Sequence, residues 1–198
     1  MYGNPGIEDL SHDRYGKDNM ELRPITKKDY RYMKWIYMGA FPPEERAPFR
    51  YVRRRAEQGK ADFLGVYVRE RLCGFAYLVS YKEIVYFFYF AVDPRVRGCG
   101  IGTKVLRELL RRYAGKRFFL ALEPLDPKAE NYEERVRRHR LYRSVGLVDL
   151  PRQLTEAGVI YDLMGVGGEI LPEEYRELMD YHMGARMRKA LHMQLIEN

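Results

Sequence analysis

Residues 84–113 read IVYFFYFAVDPRVRGCGIGTKVLRELLRRY, and the pattern changes twice within that stretch. Ile84 to Val92 is an unbroken run of β-branched, aromatic and small apolar residues, the pattern of a strand buried on both faces. Asp93-Pro94 ends it, because proline brings no N–H to a ladder and restricts the residue before it. From Gly102 the period becomes helical: Ile101, Val105, Leu106, Leu109, Leu110 and Tyr113 share one face, and Gly115 is placed to cap the C-terminus. Between strand and helix stand Arg95, Arg97, Gly98, Gly100 and Gly102. Glycines let backbone N–H groups turn inward as a nest, the helix N-terminus adds partial positive charge, and arginines add full charge. A turn so built suits phosphate or pyrophosphate. The plain alternative, a tight turn with no ligand, is weakened by the arginines and by the abrupt change of period.

Spelling excludes two common phosphate loops. A Walker loop needs lysine before Ser/Thr, whereas Lys104 follows Thr103. A dinucleotide fingerprint needs Gly-x-Gly-x-x-Gly and an acid after a second strand, whereas here the spacing is Gly98-x-Gly100-x-Gly102. Composition bounds the rest. A chain of 198 residues with 46% hydrophobic content is one domain with a real core. No apolar run approaches bilayer length, and the polar start MYGNPGIEDLSHDRYGKDN lacks the apolar block of a signal peptide, so a cytoplasmic protein without membrane contact is expected. Cys73 and Cys99 are too few for a disulfide framework, and Cys99 reads as an incidental thiol. The four histidines show no ligand spacing, so no metal is expected. The net charge of +7 is spread along the chain rather than gathered in a tail, which leaves nucleic acid open as a partner without favouring it.

Outward from the central stretch, residues 1–20 read as a polar arm without period. A first strand is expected over Glu21–Ile25. Thr26 then caps a helix, with Asp29 as its capping-box partner and Tyr30, Met33, Ile36, Tyr37 and Ala40 inward. Phe41-Pro42-Pro43 breaks it, and a second helix is expected over about Glu44–Gln58. Asp62–Arg69 and Leu72–Tyr81 form a hairpin that continues into Ile84–Val92. Arg117–Leu122 follows the central helix and lies parallel to Ile84–Val92; a helix over about Tyr132–Val145 and a last strand over Val159–Met164 complete the order. Gly165–Gly168 is expected as a flexible turn, and Leu171-Pro172 opens a terminal helix with Tyr175, Leu178, Met179 and His182 on one face, free to pack on a partner subunit.

Arg97-Gly98-Cys99-Gly100-Ile101-Gly102 resembles the acetyl-CoA motif of the GNAT N-acetyltransferase superfamily, Arg/Gln-x-x-Gly-x-Gly/Ala, at every defined position. Val92-Asp93-Pro94 before it, the amphipathic helix after it and the order of elements from about Leu22 to Met164 agree. Tyr142-x-x-x-Gly146-Leu147 is similar to a second superfamily motif. The resemblance implies an α/β (α+β) fold with a mixed, mostly antiparallel sheet flanked by helices. It divides the chain into an arm (1–20), an acetyl-CoA-binding domain (21–164) and a helical extension (165–198). It implies acetyl-CoA as co-substrate, held by Arg95, Arg97, Gly98, Cys99, Gly100, Ile101, Gly102 and Thr103, with main chain at Ala91 and Val92 meeting the thioester carbonyl. Tyr142 becomes the acid for the departing thiolate. Many members carry asparagine seven residues before that tyrosine. Arg135 stands there in this chain, so Arg135 and the more distant Asn131 are the candidate cofactor contacts on that helix. For a base, Tyr86 occupies the position of a superfamily glutamate, Glu83 has the wrong strand parity unless a bulge intervenes, and Glu123 is the better-placed carboxylate. The expected reaction is acetyl transfer to a primary amine of a small molecule or peptide by direct transfer. The rivals are a CoA-binding sensor without catalysis and an enzyme acting on an RNA-linked amine; a homodimer is left open.

Overall fold

The computed structural model describes residues 20–43 and 46–197. The polar arm expected over 1–20 lies outside the described residues except for Met20. An eight-stranded sheet has the order β1-β2-β3-β4-β5-β7-β6-β8. Its strands are β1 (Met20–Pro24), β2 (Asp62–Val68), β3 (Arg71–Tyr81), β4 (Ile84–Val92), β5 (Arg117–Leu122), β6 (Val148–Glu156), β7 (Val159–Val166) and β8 (Gln194–Glu197). Every neighbouring pair is antiparallel except β4 with β5, which are parallel. The fold is the mixed, mostly antiparallel α/β sheet that the sequence implied.

Helices α1 (Tyr30–Ala40), α2 (Phe49–Glu57) and α5 (Pro172–Met183) cover one face of the sheet; α3 (Ile101–Arg112) and α4 (Tyr132–Ser144) cover the other. The first face is unusually aromatic: Tyr37, Phe49, Phe63, Phe75, Tyr77, Tyr89 and Tyr175 are all buried there. The second is aliphatic, with Ile101, Val105, Leu106 and Leu109 of α3 set against Leu64, Val66, Ala76, Leu78 and Val85. Each fully buried leucine there stabilises the fold by roughly 2 kcal/mol. A short helix α6 (Ala185–Ala190) precedes β8.

Departures from the expected elements have local causes. The Thr26–Asp29 pairing forms, with the Thr26 N–H and hydroxyl both donating to Asp29 Oδ2 at 2.7 Å, but it closes the turn before α1, whose N-cap is Asp29. Helix α2 starts at Phe49 rather than Glu44, because Pro48 is extended (ψ 127°) and proline is accepted only at a helix start. Glu44 and Glu45 lie outside the described residues. Strand β6 went unread because Pro151 interrupts it, and its pairing with β7 shifts register between Asp149 and Gln153. Gly165 is not part of a flexible turn: β7 continues through it, opposite Phe119 and Val148. The segment after 165 is not purely helical, since β8 extends the sheet beside β6. The apolar face of α5 is used within its own chain, where Tyr175 meets Tyr86 and Phe119 edge-on at 6.1 and 6.4 Å.

His182 ends that face of α5. It is buried among Tyr51, Tyr77 and Phe88, with Nδ1 3.4 Å from the Lys60 carbonyl oxygen. Burial, reinforced by the Arg55 charge and partly opposed by the Lys60 carbonyl, lowers its pKa from 6.5 to about 4. The folded state therefore keeps it neutral while the unfolded chain takes up a proton below about pH 6.5. Its contribution is complete above that pH and is lost as pH falls towards 4, by up to about 3 kcal/mol. Urea midpoints measured near pH 7 and near pH 4.5 should differ less in His182→Phe than in the wild type. An equal difference in both would remove His182 as the source.

Candidate active site

The sheet opens where the site forms. Parallel pairing between β4 and β5 covers only Ile84–Tyr86 with Arg117–Phe119, while β4 stays paired to β3 through Val92. Register between β3 and β4 shifts at Tyr77/Leu78, and Phe88 is the extra residue. The bulge changes the parity of the strand: Tyr86, Phe88 and Tyr89 belong to the aromatic face, whereas Phe87, Phe90 and Val92 belong to the other. Glu83 thus shares its face with Val92, but it lies in the β3–β4 turn at the far end of the strand. Tyr86 is buried, its ring stacked on Phe119 at 4.7 Å, and burial pushes its phenol far up, so it stays protonated.

Val92 is the last residue of β4. The next N–H, that of Asp93, donates to the Cys73 carbonyl of β3 at 2.8 Å. Backbone groups of successive strand residues point to opposite edges, so the N–H and C=O of Val92 face the open side. The Arg97 Nε takes that carbonyl at 3.1 Å; the N–H has no strand beside it. Ala91 is buried on the aromatic face.

The turn that follows is fixed by Asp93. Its carboxylate accepts from the Arg95 N–H at 2.9 Å, from Arg95 Nε at 3.0 Å and Nη2 at 2.6 Å, and from the Tyr32 hydroxyl of α1. Burial raises the Asp93 pKa, but hydrogen bonds from Arg95 and Tyr32 outweigh it and hold the carboxyl below the usual range. The Arg95 guanidinium also lies 5.2 Å from the ring of Trp35, which is stacked on Tyr32. Arg95, expected to face phosphate, has its charge matched by Asp93. Gly98 and Gly100 adopt φ of 81° and 73°, a region that side chains strain to enter. Gly102 admits α4: a Cβ there would meet Leu141 Cδ2 at 3.3 Å. Among the described residues, no backbone N–H from Gly98 through Thr103, including those of Cys99 and Ile101, has a hydrogen-bond acceptor. Six unpaired donors thus lie in the glycine turn and the first turn of α3, where a helix N-terminus suits a phosphate.

Helix α4 contributes the other wall. Glu123, just past β5, accepts from Asn131 Nδ2 at 3.1 Å and from Arg138 Nη2, and it is ion-paired with Arg135, whose Nη2 lies 2.9 Å away. Arg135 also donates to Asn131 Oδ1 at 2.7 Å and to the Pro124 carbonyl at 2.8 Å. Burial raises the Glu123 pKa, and the Asn131 hydrogen bond with the charges of Arg138 and Arg135 more than reverses it. A carboxylate with two donors and a second arginine beside it is a poor proton acceptor; it ties α4 to the end of β5. Tyr142 packs in the aliphatic core. Burial pushes its phenol up, against the pull of Arg138, so the group stays protonated.

No helix among the described residues is long and apolar enough to cross a membrane, and none of their His, Cys, Asp and Glu side chains cluster as a metal site. A profile of the acetyltransferase (GNAT) family matches residues 30–146. No curated protein sequence matches the chain. Among solved structures, one assigned to GNAT-family acetyltransferases from Bacteroides thetaiotaomicron is 22% identical, with a TM-score of 0.64 over 85% of this chain and 96% of that one. An acetyltransferase-like protein from Salmonella typhimurium, solved with acetyl-CoA, is 19% identical, with a TM-score of 0.56 over 78% and 98%. The ribosomal-protein-S18-alanine N-acetyltransferase of Escherichia coli is 15% identical, with a TM-score of 0.59 over 78% and 97%. The chain belongs to the acetyltransferase (GNAT) family: it is an acyltransferase whose co-substrate is acetyl-CoA.

The Asp93 cluster was missed in sequence because Tyr32 lies 61 residues away. Asp93→Asn should destabilise the protein by about 2 kcal/mol and Tyr32→Phe by about 1 kcal/mol in urea unfolding. Losses near zero in both would mean that the cluster does not hold α1 to the turn.

Proposed function

We propose that this protein transfers an acetyl group from acetyl-CoA to a primary amine by direct attack in a ternary complex. The observation that carries the proposal is the opening between β4 and β5, where the Val92 N–H faces a gap that ends at the six unpaired N–H groups of 98–103. Those donors and Arg97 suit a pyrophosphate, and Arg95 shapes the turn from behind through Asp93. Acetyl-CoA supplies the thioester. The Val92 N–H donates to its carbonyl oxygen, where negative charge develops as the amine attacks. Tyr142, kept protonated by burial, donates the proton that the departing thiolate takes up. Glu123, spent on Asn131, Arg135 and Arg138, positions α4 while water carries the proton away from the amine. Both cysteines are free thiols, which suits the reducing cytoplasm.

Tyr142→Phe should lower kcat by about 100-fold while leaving the Kd for acetyl-CoA within about twofold of wild type, measured by thiol release and calorimetry. Wild-type turnover would remove Tyr142 from the mechanism. Turnover absent from the wild type with any amine, despite tight acetyl-CoA binding, would favour a sensor.

Gly100→Asp and Gly100→Asn separate charge from backbone strain, since a Cβ at Gly100 meets nothing within 4 Å and both residues tolerate its left-handed φ. The aspartate should weaken acetyl-CoA binding by about 100-fold and the asparagine by less than about tenfold in calorimetry. Equal losses would place the phosphate elsewhere.

A further inference from the structure

The opening between β4 and β5 has a root, and α5 lies against it. Tyr86 and Phe119 are the last pair of the parallel ladder, and their rings stack at 4.7 Å, within 6° of parallel. Tyr175 of α5 is wholly buried and meets both rings edge-on, at 6.1 and 6.4 Å. Just above, the ring of the bulge residue Phe88 lies 4.8 Å from Tyr86 and 5.9 Å from His182, two turns further along α5. The helix is also tied to the starts of both strands. Arg117, the first residue of β5, donates from Nη1 to Glu174 Oε2 and to the Glu169 carbonyl, each at 2.8 Å. Lys82, in the turn before β4, donates to Glu177 Oε2 at 2.5 Å. All of α5 lies beyond residues 30–146, which the family profile matches.

We propose that Tyr175 is a positioning residue for acetyl-CoA: its ring holds the Tyr86–Phe119 stack, and so fixes where β4 and β5 part and how wide the opening is for the acyl-pantetheine arm. The inference rests on reading that opening as the thioester site. Three residue pairs make a short ladder, so the separation of the strands beyond it is left to side-chain packing. Edge-on aromatic pairs favour one geometry beyond the area they bury, and a densely packed interior passes a displacement on to its neighbours. A shift of about 1 Å far from the chemistry is enough to spoil a site. The ring is the acting group, because the Tyr175 hydroxyl is buried with no hydrogen-bond partner among the described residues. The effect is confined to one end of the ligand. Helix α5 packs on the aromatic face, whereas the turn 98–103 leads into α3 on the aliphatic face.

The test is calorimetry with two ligands: acetyl-CoA, which reaches into the opening, and adenosine 3′,5′-bisphosphate, which carries only the phosphate end. Tyr175→Leu should weaken acetyl-CoA by about tenfold and leave the bisphosphate within about twofold of wild type. Tyr175→Phe keeps the ring and drops a hydroxyl that bonds nothing, so it should bind both ligands as the wild type does. Far-ultraviolet circular dichroism checks that each variant is folded, and Tyr175→Met carries the same comparison if the leucine variant is not. Equal losses for the two ligands, or no loss, overturn the proposal, because Tyr175 would then be core packing alone. A loss in Tyr175→Phe as large as that in Tyr175→Leu overturns it too, because the ring would not be what acts. A wild type that binds acetyl-CoA no more tightly than the bisphosphate would strike the reading of the opening itself, and the proposal with it.

Discussion

Strand β4 has neighbours on both sides only from Ile84 to Tyr86; beyond that it keeps β3 and loses β5. That one-sided pairing organises the molecule. A buried backbone N–H without a partner is unfavourable, so an open edge inside a sheet persists only where something else fills it or where function uses it. The bulge at Phe88 adds local twist just where the two strands part, and it turns Tyr89 and Ala91 to the aromatic face while Phe90 and Val92 turn to the other. The gap therefore opens between two different chemistries: an aliphatic wall carrying α3 and α4, and an aromatic wall carrying α1, α2 and α5.

Two carboxylates hold the mouth of this gap in shape. Asp93 gathers Arg95 and Tyr32, joining the phosphate-type turn to α1 on the aromatic side. Glu123 gathers Asn131, Arg135 and Arg138, joining β5 to α4. Each is partly buried and held ionised by the donors around it. The arrangement keeps the arginines at fixed positions and leaves the unpaired N–H groups of 98–103 as the groups still wanting an acceptor.

Much of the fold was legible because the strongest signals were local. The run Ile84–Val92, the change of period after Gly102, and the Arg-Gly-x-Gly-x-Gly spacing between them predicted a strand, a turn with positive φ and a helix, and those are present. Where local signals conflicted, reading failed. Pro151 disguised β6, Pro48 moved the start of α2, and the glycines after Met164 suggested a turn where β7 continues through Gly165. The candidate site was legible in the same measure: the glycine turn and the Tyr142–Gly146 spacing were visible as motifs. The company kept by Arg95 and Glu123 was not.

The sequence by itself determined the succession of strands and helices from β1 through α4, the glycine turn before α3, and the family, because these depend on residues within about one element of each other. Tertiary structure alone decided where β4 and β5 separate, which face each residue beyond Phe88 occupies, and that Arg95 and Glu123 are engaged by groups elsewhere in the fold. The physical reason is that register, bulges and ion pairs are settled between segments far apart in the chain. Tyr32 meets Asp93 across 61 residues, a contact no local period encodes.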